Sequence, residues 1–190
     1  MKTFIVASLI GILSLSSSSS FAFDADKVPT KKKTMLGLYL SPKEAYSMAT
    51  KEKVLFVDVR TREEVNFLGM PTIADANIPY MEIDPMYTWN EKKNSYKLLP
   101  NSGFVSEVAD RLNAKGMNKN STIILMCRSG DRSALATNLL AKAGYTKVYS
   151  IVTGFEGNMS KDGRRSLDGW KNAGLPWSYN LAKNKMTFEE

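Results

Sequence analysis

The sequence contains no histidine and a single cysteine, Cys127, among its 190 residues. Without histidine, the chain cannot build a His-ligated metal site, a Ser-His-Asp triad or a Cys-His dyad. With one cysteine, it can form neither an intramolecular disulfide nor a cysteine cluster for zinc or iron–sulfur. A cysteine nucleophile in this chain must therefore be activated without imidazole, and the sequence predicts no metal and no cofactor.

Long apolar runs and clusters of one charge are also scarce. After residue 22, no apolar stretch reaches the roughly 20 residues that a helix needs to span a bilayer, so we expect no membrane span. The net charge is +7, from 26 Lys and Arg against 19 Asp and Glu, and a basic balance favours anionic partners. Because no basic block is interleaved with aromatic residues, we expect no nucleic-acid partner. The one tight basic run, Lys31-Lys32-Lys33, is expected to belong to a flexible tail.

Residues 1–22 have the pattern of a secretory signal peptide. Lys2 precedes an apolar stretch over residues 4–15, and a serine-rich segment follows that stretch. Ser20 and Ala22 place small residues at positions −3 and −1, which predicts cleavage after Ala22 and a periplasmic or secreted protein. An idle free thiol is a liability in an oxidising compartment, so Cys127 is expected to be either deeply buried or used.

Between residues 41 and 177, strand patterns alternate with helix patterns. Nearly continuous apolar runs at residues 54–59, 122–126 and 147–152 are typical of strands buried on both faces of a parallel sheet. Helices are predicted after the caps Ser41 and Thr61, and over residues 104–115, 133–142 and 168–173. The pattern indicates an α/β domain, with a central parallel sheet flanked by helices on both faces.

The flanks and two inner segments complete the predicted organisation. Residues 23–40 are expected to be an N-terminal lead-in, polar and mobile over residues 24–35, with residues 41–177 the domain itself and residues 178–190 a C-terminal tail. Residues 76–79 are predicted as a short strand and residues 83–102 as a long loop, which in a compact domain is often functional. Nothing in the pattern demands more than a monomer.

The segment after the second buried strand carries the strongest chemical pattern. Cys127 stands at the carboxyl end of that strand, where open α/β sheets bind their ligands. The turn from there to the next helix, which is expected to start at about Ser133, is Arg128-Ser129-Gly130-Asp131-Arg132. Its backbone N–H groups can form an anion-binding nest, to which the positive end of the helix and two arginines add. These groups favour the thiolate over the thiol without a histidine.

This segment resembles the active-site loop of the rhodanese family of sulfurtransferases. Other stretches resemble further parts of that family in the right order, and they are Val57-Asp58-Val59-Arg60 with Glu63-Glu64, Ala76-Asn77-Ile78-Pro79, Gly154-Phe155-Glu156-Gly157 and Trp170-Lys171-Asn172-Ala173-Gly174-Leu175-Pro176. The resemblance covers about residues 41–177. Two departures are Gly69-Met70-Pro71, where the family often has Gly-His-Ile, and the insertion at residues 83–102, which would reshape the entrance.

The resemblance implies a rhodanese-like fold and sulfur transfer through Cys127. The thiolate would take sulfane sulfur from thiosulfate or a similar small anionic donor, and cyanide or a thiol would remove it from the resulting persulfide. The acceptor thiol could belong to a periplasmic protein. The implied substrate-binding residues are Arg128, Ser129, Gly130, Asp131, Arg132 and Ser133. Asp58 and Arg60 would either brace the loop or form an ordinary buried ion pair, and Asp131 is expected to point outward or to pair with an arginine.

Two other functions stay open at the level of sequence. A phosphatase or arsenate reductase could use the same cradle, but those enzymes place an arginine six positions after the cysteine. Here Ser133 occupies that position and Arg132 stands at the fifth, which gives a smaller cradle that suits sulfur better than phosphate. The other possibility is a non-enzymatic persulfide carrier or binding module, whose Cys127 would be loaded but would discharge slowly to small acceptors.

Overall fold

Five parallel strands form the central sheet in the computed structural model, which describes residues 23–188. The predicted signal peptide, residues 1–22, lies outside the described residues. The described residues contain eleven strands in all, five of which form this sheet. They are β1 (Tyr39–Leu40), β2 (Leu55–Asp58), β3 (Met70–Pro71), β4 (Ala76–Asn77), β5 (Met81–Ile83), β6 (Trp89–Asn90), β7 (Ser95–Tyr96), β8 (Leu98–Pro100), β9 (Ile123–Met126), β10 (Val148–Ile151) and β11 (Trp177–Ser178). The helices are α1 (Pro42–Lys51), α2 (Arg62–Leu68), α3 (Phe104–Ala114) and α4 (Asp131–Lys142).

The central sheet has the order β1-β10-β9-β2-β4, and every neighbouring pair is parallel. The apolar runs predicted as buried strands supply β2, β9 and β10, which lie side by side in the middle. Helices cover both faces, so the predicted α/β fold is confirmed. Within residues 23–188, no helix is both long enough and apolar enough to cross a membrane.

Helices α1 and α2 begin where their capping patterns predict. The Ser41 hydroxyl accepts a hydrogen bond from the Glu44 N–H at 3.3 Å, and the Glu44 carboxylate accepts one from the Ser41 N–H at 2.7 Å. Thr61 and Glu64 form the same reciprocal pair at 3.2 and 3.0 Å. Each box satisfies two N–H groups that the first helical turn leaves without partners.

The apolar core is divided by the sheet into two layers. On one side, Leu55, Ile123 and Leu125 pack with residues of α3 and α4 such as Val108 and Leu140. On the other side, side chains of the same strands pack with α1, α2 and a fully buried tryptophan, among them Phe56, Ile124, Met126, Met48, Val65 and Trp170. The strands are therefore buried on both faces, which explains why their sequences are apolar without alternation.

Helix α4 starts at Asp131, two residues earlier than its sequence suggests. Gly130 precedes it with φ of 102° and ψ of −17°, a left-handed conformation that is open mainly to glycine. The Ser133 hydroxyl, which the sequence suggests as a helix start, instead donates to the Gly130 carbonyl at 3.1 Å. The glycine therefore ends the cysteine loop and lets the helix begin immediately.

Residues 81–100, which we call the excursion, form short paired strands. The prediction of a long loop over residues 83–102 is therefore wrong for most of this segment. Strand β5 pairs antiparallel with β8, and inside that pair β6 pairs antiparallel with β7. Tyr96 makes edge-to-face contacts with Tyr87 and Trp89, each with ring centroids 5.6 Å apart. The four strands of the excursion have only two or three residues each, which is too few for an alternation of apolar and polar residues to be recognised in the sequence.

The predicted helix at residues 168–173 is also wrong, because this segment forms turns. The Trp170 N–H donates to the Gly154 carbonyl at 2.9 Å and the Lys171 N–H to the Phe155 carbonyl at 3.0 Å. These two donors thus bind a neighbouring segment, whereas the Ala173 N–H makes a single i→i−4 bond to the Gly169 carbonyl at 2.9 Å. Gly169 has φ of 97°, and a Cβ there would lie 2.4 Å from the Gly157 nitrogen, so close contact with a neighbouring turn replaces helical geometry.

Both flanks pack against the domain. At the C-terminal end, β11 pairs antiparallel with β3, and the Arg62 guanidinium donates to the Thr187 carbonyl at 3.0 Å. At the N-terminal end, β1 extends the central sheet by pairing with β10. Lys32 is only 3% exposed, so the prediction of a flexible basic tail is wrong.

Candidate active site

Cys127 directly follows β9, the middle strand of the sheet, and is only 1% exposed. Its Sγ accepts a hydrogen bond from the Gly130 N–H at 3.1 Å. Helix α4 begins at Asp131, four residues after Cys127, and the positive end of its dipole favours negative charge near the loop. The structure thus places the cysteine at the carboxyl edge of the sheet, with a backbone donor already directed at its sulfur.

The segment after β10 holds the cysteine loop from behind. The Phe155 N–H donates to the Cys127 carbonyl at 2.8 Å, and the Glu156 N–H donates to the Arg128 carbonyl at 2.9 Å. Gly154 lies so close that a Cβ on it would be 2.4 Å from the Cys127 oxygen. Backbone contacts therefore fix the loop on the side away from solvent.

Asp58 and Arg60 form a fully buried ion pair beneath this segment. The Arg60 Nε and Nη2 donate to the Asp58 carboxylate at 2.6–3.1 Å, and Nη2 also donates to the Gly69 carbonyl at 2.7 Å. The guanidinium carbon lies 3.9 Å from the centroid of the Phe155 ring. The ion pair is fully buried. It also supports the loop from below, because the Phe155 residue that Arg60 contacts donates its N–H to the Cys127 carbonyl.

Arg132 is bound by a residue that sequence reasoning did not place in the site. Its Nη1 and Nη2 each donate to one oxygen of the Glu64 carboxylate at 2.6 Å. Burial alone would raise the pKa of Glu64, but the hydrogen bonds and charge of Arg132, with the Thr61 N–H, hold that pKa below its ordinary value. The pair leaves Arg132 with much of its charge offset.

The remaining predicted site residues divide between the cleft and the interior. Arg128 is about half exposed, lines the cleft, and has its Nε 3.9 Å from Glu64. Ser129 also lines the cleft. Asp131 pairs with Lys31 at 2.9 Å. The sequence predicts that it points outward or pairs with an arginine, and its partner is a lysine instead. Ser133 is fully buried and braces Gly130, so its hydroxyl lies behind the loop.

Lys32 is the second residue that sequence reasoning missed. Its Nζ donates to the Val152 carbonyl at 3.0 Å and to the Asn158 side-chain oxygen at 3.2 Å. Its aliphatic stem lies against Gly130, where an added Cβ would be 3.2 Å from the Lys32 Cδ. The basic run was visible in the sequence, but its partners lie 120 or more residues away along the chain, so local pattern gave no sign of burial.

A cleft of about 700 Å³ opens above Cys127 between the cysteine loop and the excursion. The excursion side is largely apolar and aromatic, with Ile83, Tyr96 and Leu98, and it adds one cation, Lys93. The opposite wall carries Arg128 and the Arg132–Glu64 pair. The site can therefore stabilise an anion near a buried sulfur and still admit a second reactant much larger than a small inorganic ion.

No group of three or more His, Cys, Asp or Glu side chains that could hold a metal ion occurs within residues 23–188. The chemistry that the site offers on its own residues is nucleophilic attack by Cys127, supported by the Gly130 N–H, the α4 dipole and nearby cations.

Comparison with known proteins gives consistent similarities. The family described as the Rhodanese-like domain matches residues 41–161. An uncharacterized protein of Rickettsia conorii is 33% identical over 137 residues, which are 72% of this chain and 93% of that relative. Thiosulfate sulfurtransferase 18 of Arabidopsis thaliana is 31% identical over 100 residues, covering 53% of this chain and 62% of that relative.

Among solved structures, the crystal structure of Rv0390 from M. tuberculosis is similar with a TM-score of 0.57 at 27% identity, covering 74% of this chain and 96% of that chain. The range matched by the family contains the whole cysteine loop and the excursion. It begins at residue 41 and therefore does not include Lys32.

Proposed function

The chain belongs to the family of rhodanese-like domains, and from that premise we propose that it is a sulfurtransferase that works through a persulfide on Cys127. The proposed donor is thiosulfate or a similar sulfane compound, and the proposed acceptor is cyanide or a thiol. The observation that carries the proposal is the position of the Cys127 sulfur, which accepts the Gly130 N–H at 3.1 Å on the floor of a cleft with cationic groups on its walls.

The proposed reaction has two balanced half-reactions. The Cys127 thiolate attacks the outer sulfur of thiosulfate, the donor S–S bond breaks, and sulfite leaves with the bonding electron pair. Cyanide then attacks the outer sulfur of the persulfide, the new S–S bond breaks, and thiocyanate and the thiolate are released. Arg128 on the cleft wall attracts the anionic donor, and the Gly130 N–H stabilises negative charge on the sulfur.

The substitution Cys127→Ser tests the proposed chemistry. We expect mature protein to form thiocyanate from thiosulfate and cyanide with ping-pong kinetics, and the variant to fall to the uncatalysed background. Incubation with thiosulfate alone should add about 32 Da to the protein, but not to the variant, because the persulfide is a covalent intermediate. A folded, reduced protein that gains no such mass would contradict the proposal.

A persulfide carrier is the second candidate, and the excursion favours it. Tyr87, Trp89 and Tyr96 are 63%, 46% and 53% exposed beside the cleft, and exposed apolar groups of this kind are typical of protein contacts. The same mass measurement separates the two functions. An enzyme loses the added sulfur within its turnover time when cyanide is supplied, whereas a carrier keeps it until a protein thiol is present.

A phosphatase receives less support from the site. Arg132 is the arginine nearest to the position that such enzymes use, and its guanidinium is bound at both ends by Glu64. An aryl phosphate offered to the protein in the same experiment should therefore remain intact, and its hydrolysis would favour the phosphatase instead.

We also propose that the protein is exported and cleaved after Ala22. The pattern of residues 1–22 supports this proposal. Intact mass of protein recovered from a periplasmic extract should correspond to a chain that begins at Phe23, and recovery of the uncleaved chain from the cytoplasm alone would contradict it.

A further inference from the structure

Lys32 is a buried cation that comes from outside the region matched by the family. It is 3% exposed, and it stands before the matched range of residues 41–161. Its ammonium donates to two neutral oxygens, the Val152 carbonyl and the Asn158 side chain. Asn158 is oriented in turn by Asp168, which accepts from its backbone N–H at 2.7 Å and from its side-chain amide at 2.8 Å.

The position of Lys32 connects it to the cysteine through Gly130. The Lys32 stem packs on Gly130, and the Val152 oxygen that binds the ammonium is the atom closest to Gly130 on that side, 1.9 Å from an added Cβ. The Gly130 N–H is the group that donates to the Cys127 sulfur. Lys32 therefore lies directly behind the residue that holds the sulfur, on the face away from the cleft.

The charges around the loop are partly offset by one another. The charged and titratable groups that face the cysteine loop or Lys32 are Lys31, Asp131, Arg128, Arg132, Glu64, Lys93, Asp58, Arg60, Glu156, Arg165, Asp168, Tyr80 and Tyr96. Arg132 is neutralised by Glu64 and Lys31 pairs with Asp131. Arg128 is half exposed, so water screens its charge. Arg60 is fully buried but is bound to Asp58, so Lys32 is the buried cation beside the loop whose ammonium forms no ion pair among the described residues.

Burial of an ammonium between neutral oxygens has a cost that needs an anion nearby to offset it. Burial lowers the pKa of Lys32, while Asp131, Cys127 and Asp168 act in the opposite direction and Lys31 adds to the lowering. Asp131 is already paired with Lys31 and Asp168 accepts two hydrogen bonds from Asn158, whereas the Cys127 sulfur accepts one from the Gly130 N–H. The Lys32 ammonium and the Cys127 sulfur thus lie on opposite sides of Gly130, where a positive charge can stabilise negative charge that develops on the sulfur.

We propose that Lys32 is a positioning residue, which supplies the buried positive charge of the cysteine loop and holds Gly130 against the Cys127 sulfur. The N-terminal segment before the family domain is then part of the active site. This inference rests on the proposed function only in taking an anionic Cys127 as the working species.

The test measures the thiol itself, so it does not depend on sulfur transfer. The rate of alkylation of Cys127 by iodoacetamide is followed against pH in the full mature chain. Lys32→Met removes the charge with little change in volume, and Lys32→Gln removes the charge but keeps an N–H donor for the Val152 carbonyl. Lys33→Met is the matched control, since it removes the same charge from an exposed neighbour.

We expect both Lys32 variants to move the midpoint of the alkylation profile upward by about half to one pH unit, because a buried charge on the far side of Gly130 acts on the sulfur at an intermediate effective dielectric. Alkylation at neutral pH should slow about three- to tenfold, and the Lys33 variant should match the parent. If Lys32→Met does not fold, Lys32→Gln decides alone. A parental midpoint in a folded Lys32 variant, or an equal shift in Lys33→Met, would overturn the inference.

The outcome also separates this inference from the proposed function. A shifted alkylation profile in a protein that makes no thiocyanate would keep the role of Lys32 and reject the sulfurtransferase. Normal thiocyanate formation with unshifted profiles would do the reverse.

Discussion

Replacing Gly130 with alanine is expected to abolish most activity and to destabilise the protein by about 3 kcal/mol or more. The residue has φ of 102°, and an added Cβ would lie 1.9 Å from the Val152 oxygen. The loop can accept the methyl group only by moving away from Val152. That movement carries the Gly130 N–H away from the Cys127 sulfur, so we expect kcat/KM to fall by about 100-fold or more, as when an oxyanion donor is removed.

Gly163→Ala is the matched control for backbone strain. Gly163 also has a positive φ, 79°, but nothing lies within 4 Å of its added Cβ. This variant should lose only about 1 kcal/mol, the cost of a left-handed alanine, and should keep its activity. Urea denaturation and thiocyanate formation, measured on both variants, check the prediction. Equal effects of the two substitutions would show that close packing at Gly130 is unimportant.

The sequence was sufficient to predict the parts of the fold that are set by local pattern. Strand β9 and its neighbours are continuous apolar runs, and the capping boxes at Ser41 and Thr61 mark the helix starts with specific side chains. These features act over a few residues, so they can be read without knowing what the chain packs against. The position of Cys127 at the end of a buried strand follows from the same patterns.

The errors fall where distant contacts decide the structure. Lys32 lies in a segment whose composition is typical of a solvated tail. Its partners Val152 and Asn158, however, lie 120 and 126 residues further along the chain. The segment around Trp170 looks helical, yet its backbone N–H groups bind Gly154 and Phe155. In both places a contact between remote segments outweighs the local preference, and a single sequence contains no record of that contact.

Glu64 shows a limit of a different kind. Glu64 follows β2 in a stretch that resembles the rhodanese family, and its place in a capping box is predictable from Thr61. Its bond to Arg132 is not, because the two residues are 68 positions apart. A helix cap and a charge partner are thus the same side chain, and the sequence reveals only the first of these roles.

The Glu64–Arg132 pair is the basis of the second large expected effect. Glu64→Gln keeps an oxygen for the Thr61 N–H, since glutamine also forms capping boxes, but it leaves the Arg132 charge without a partner. The two side chains are only 18% and 17% exposed. We therefore expect the free energy of unfolding at neutral pH to fall by about 2–3 kcal/mol, somewhat less than for a fully buried pair.

The same pair predicts how stability depends on pH. Arg132 lowers the pKa of Glu64 against the effect of burial, so the folded carboxyl holds its proton less tightly than the unfolded one. The stabilisation is therefore complete above the ordinary glutamate pKa of 4.5 and is lost as the pH falls below it. Urea denaturation of the parent and of Glu64→Gln should give free energies of unfolding that converge as the pH is lowered below 4.5. A constant difference would contradict the assignment.

Kinetics distinguish loss of charge balance from simple damage to the fold. Glu64→Gln exposes the thiosulfate dianion to an uncompensated Arg132, so KM for thiosulfate should decrease severalfold although the protein is less stable. Arg132→Met leaves an uncompensated carboxylate beside the cleft, so KM should increase. Both variants lose stability, and general damage would move KM in one direction for both. Opposite shifts in KM would therefore show that Glu64 sets the charge that Arg132 presents to an anionic donor, whereas an increase in both would assign the pair a structural role alone.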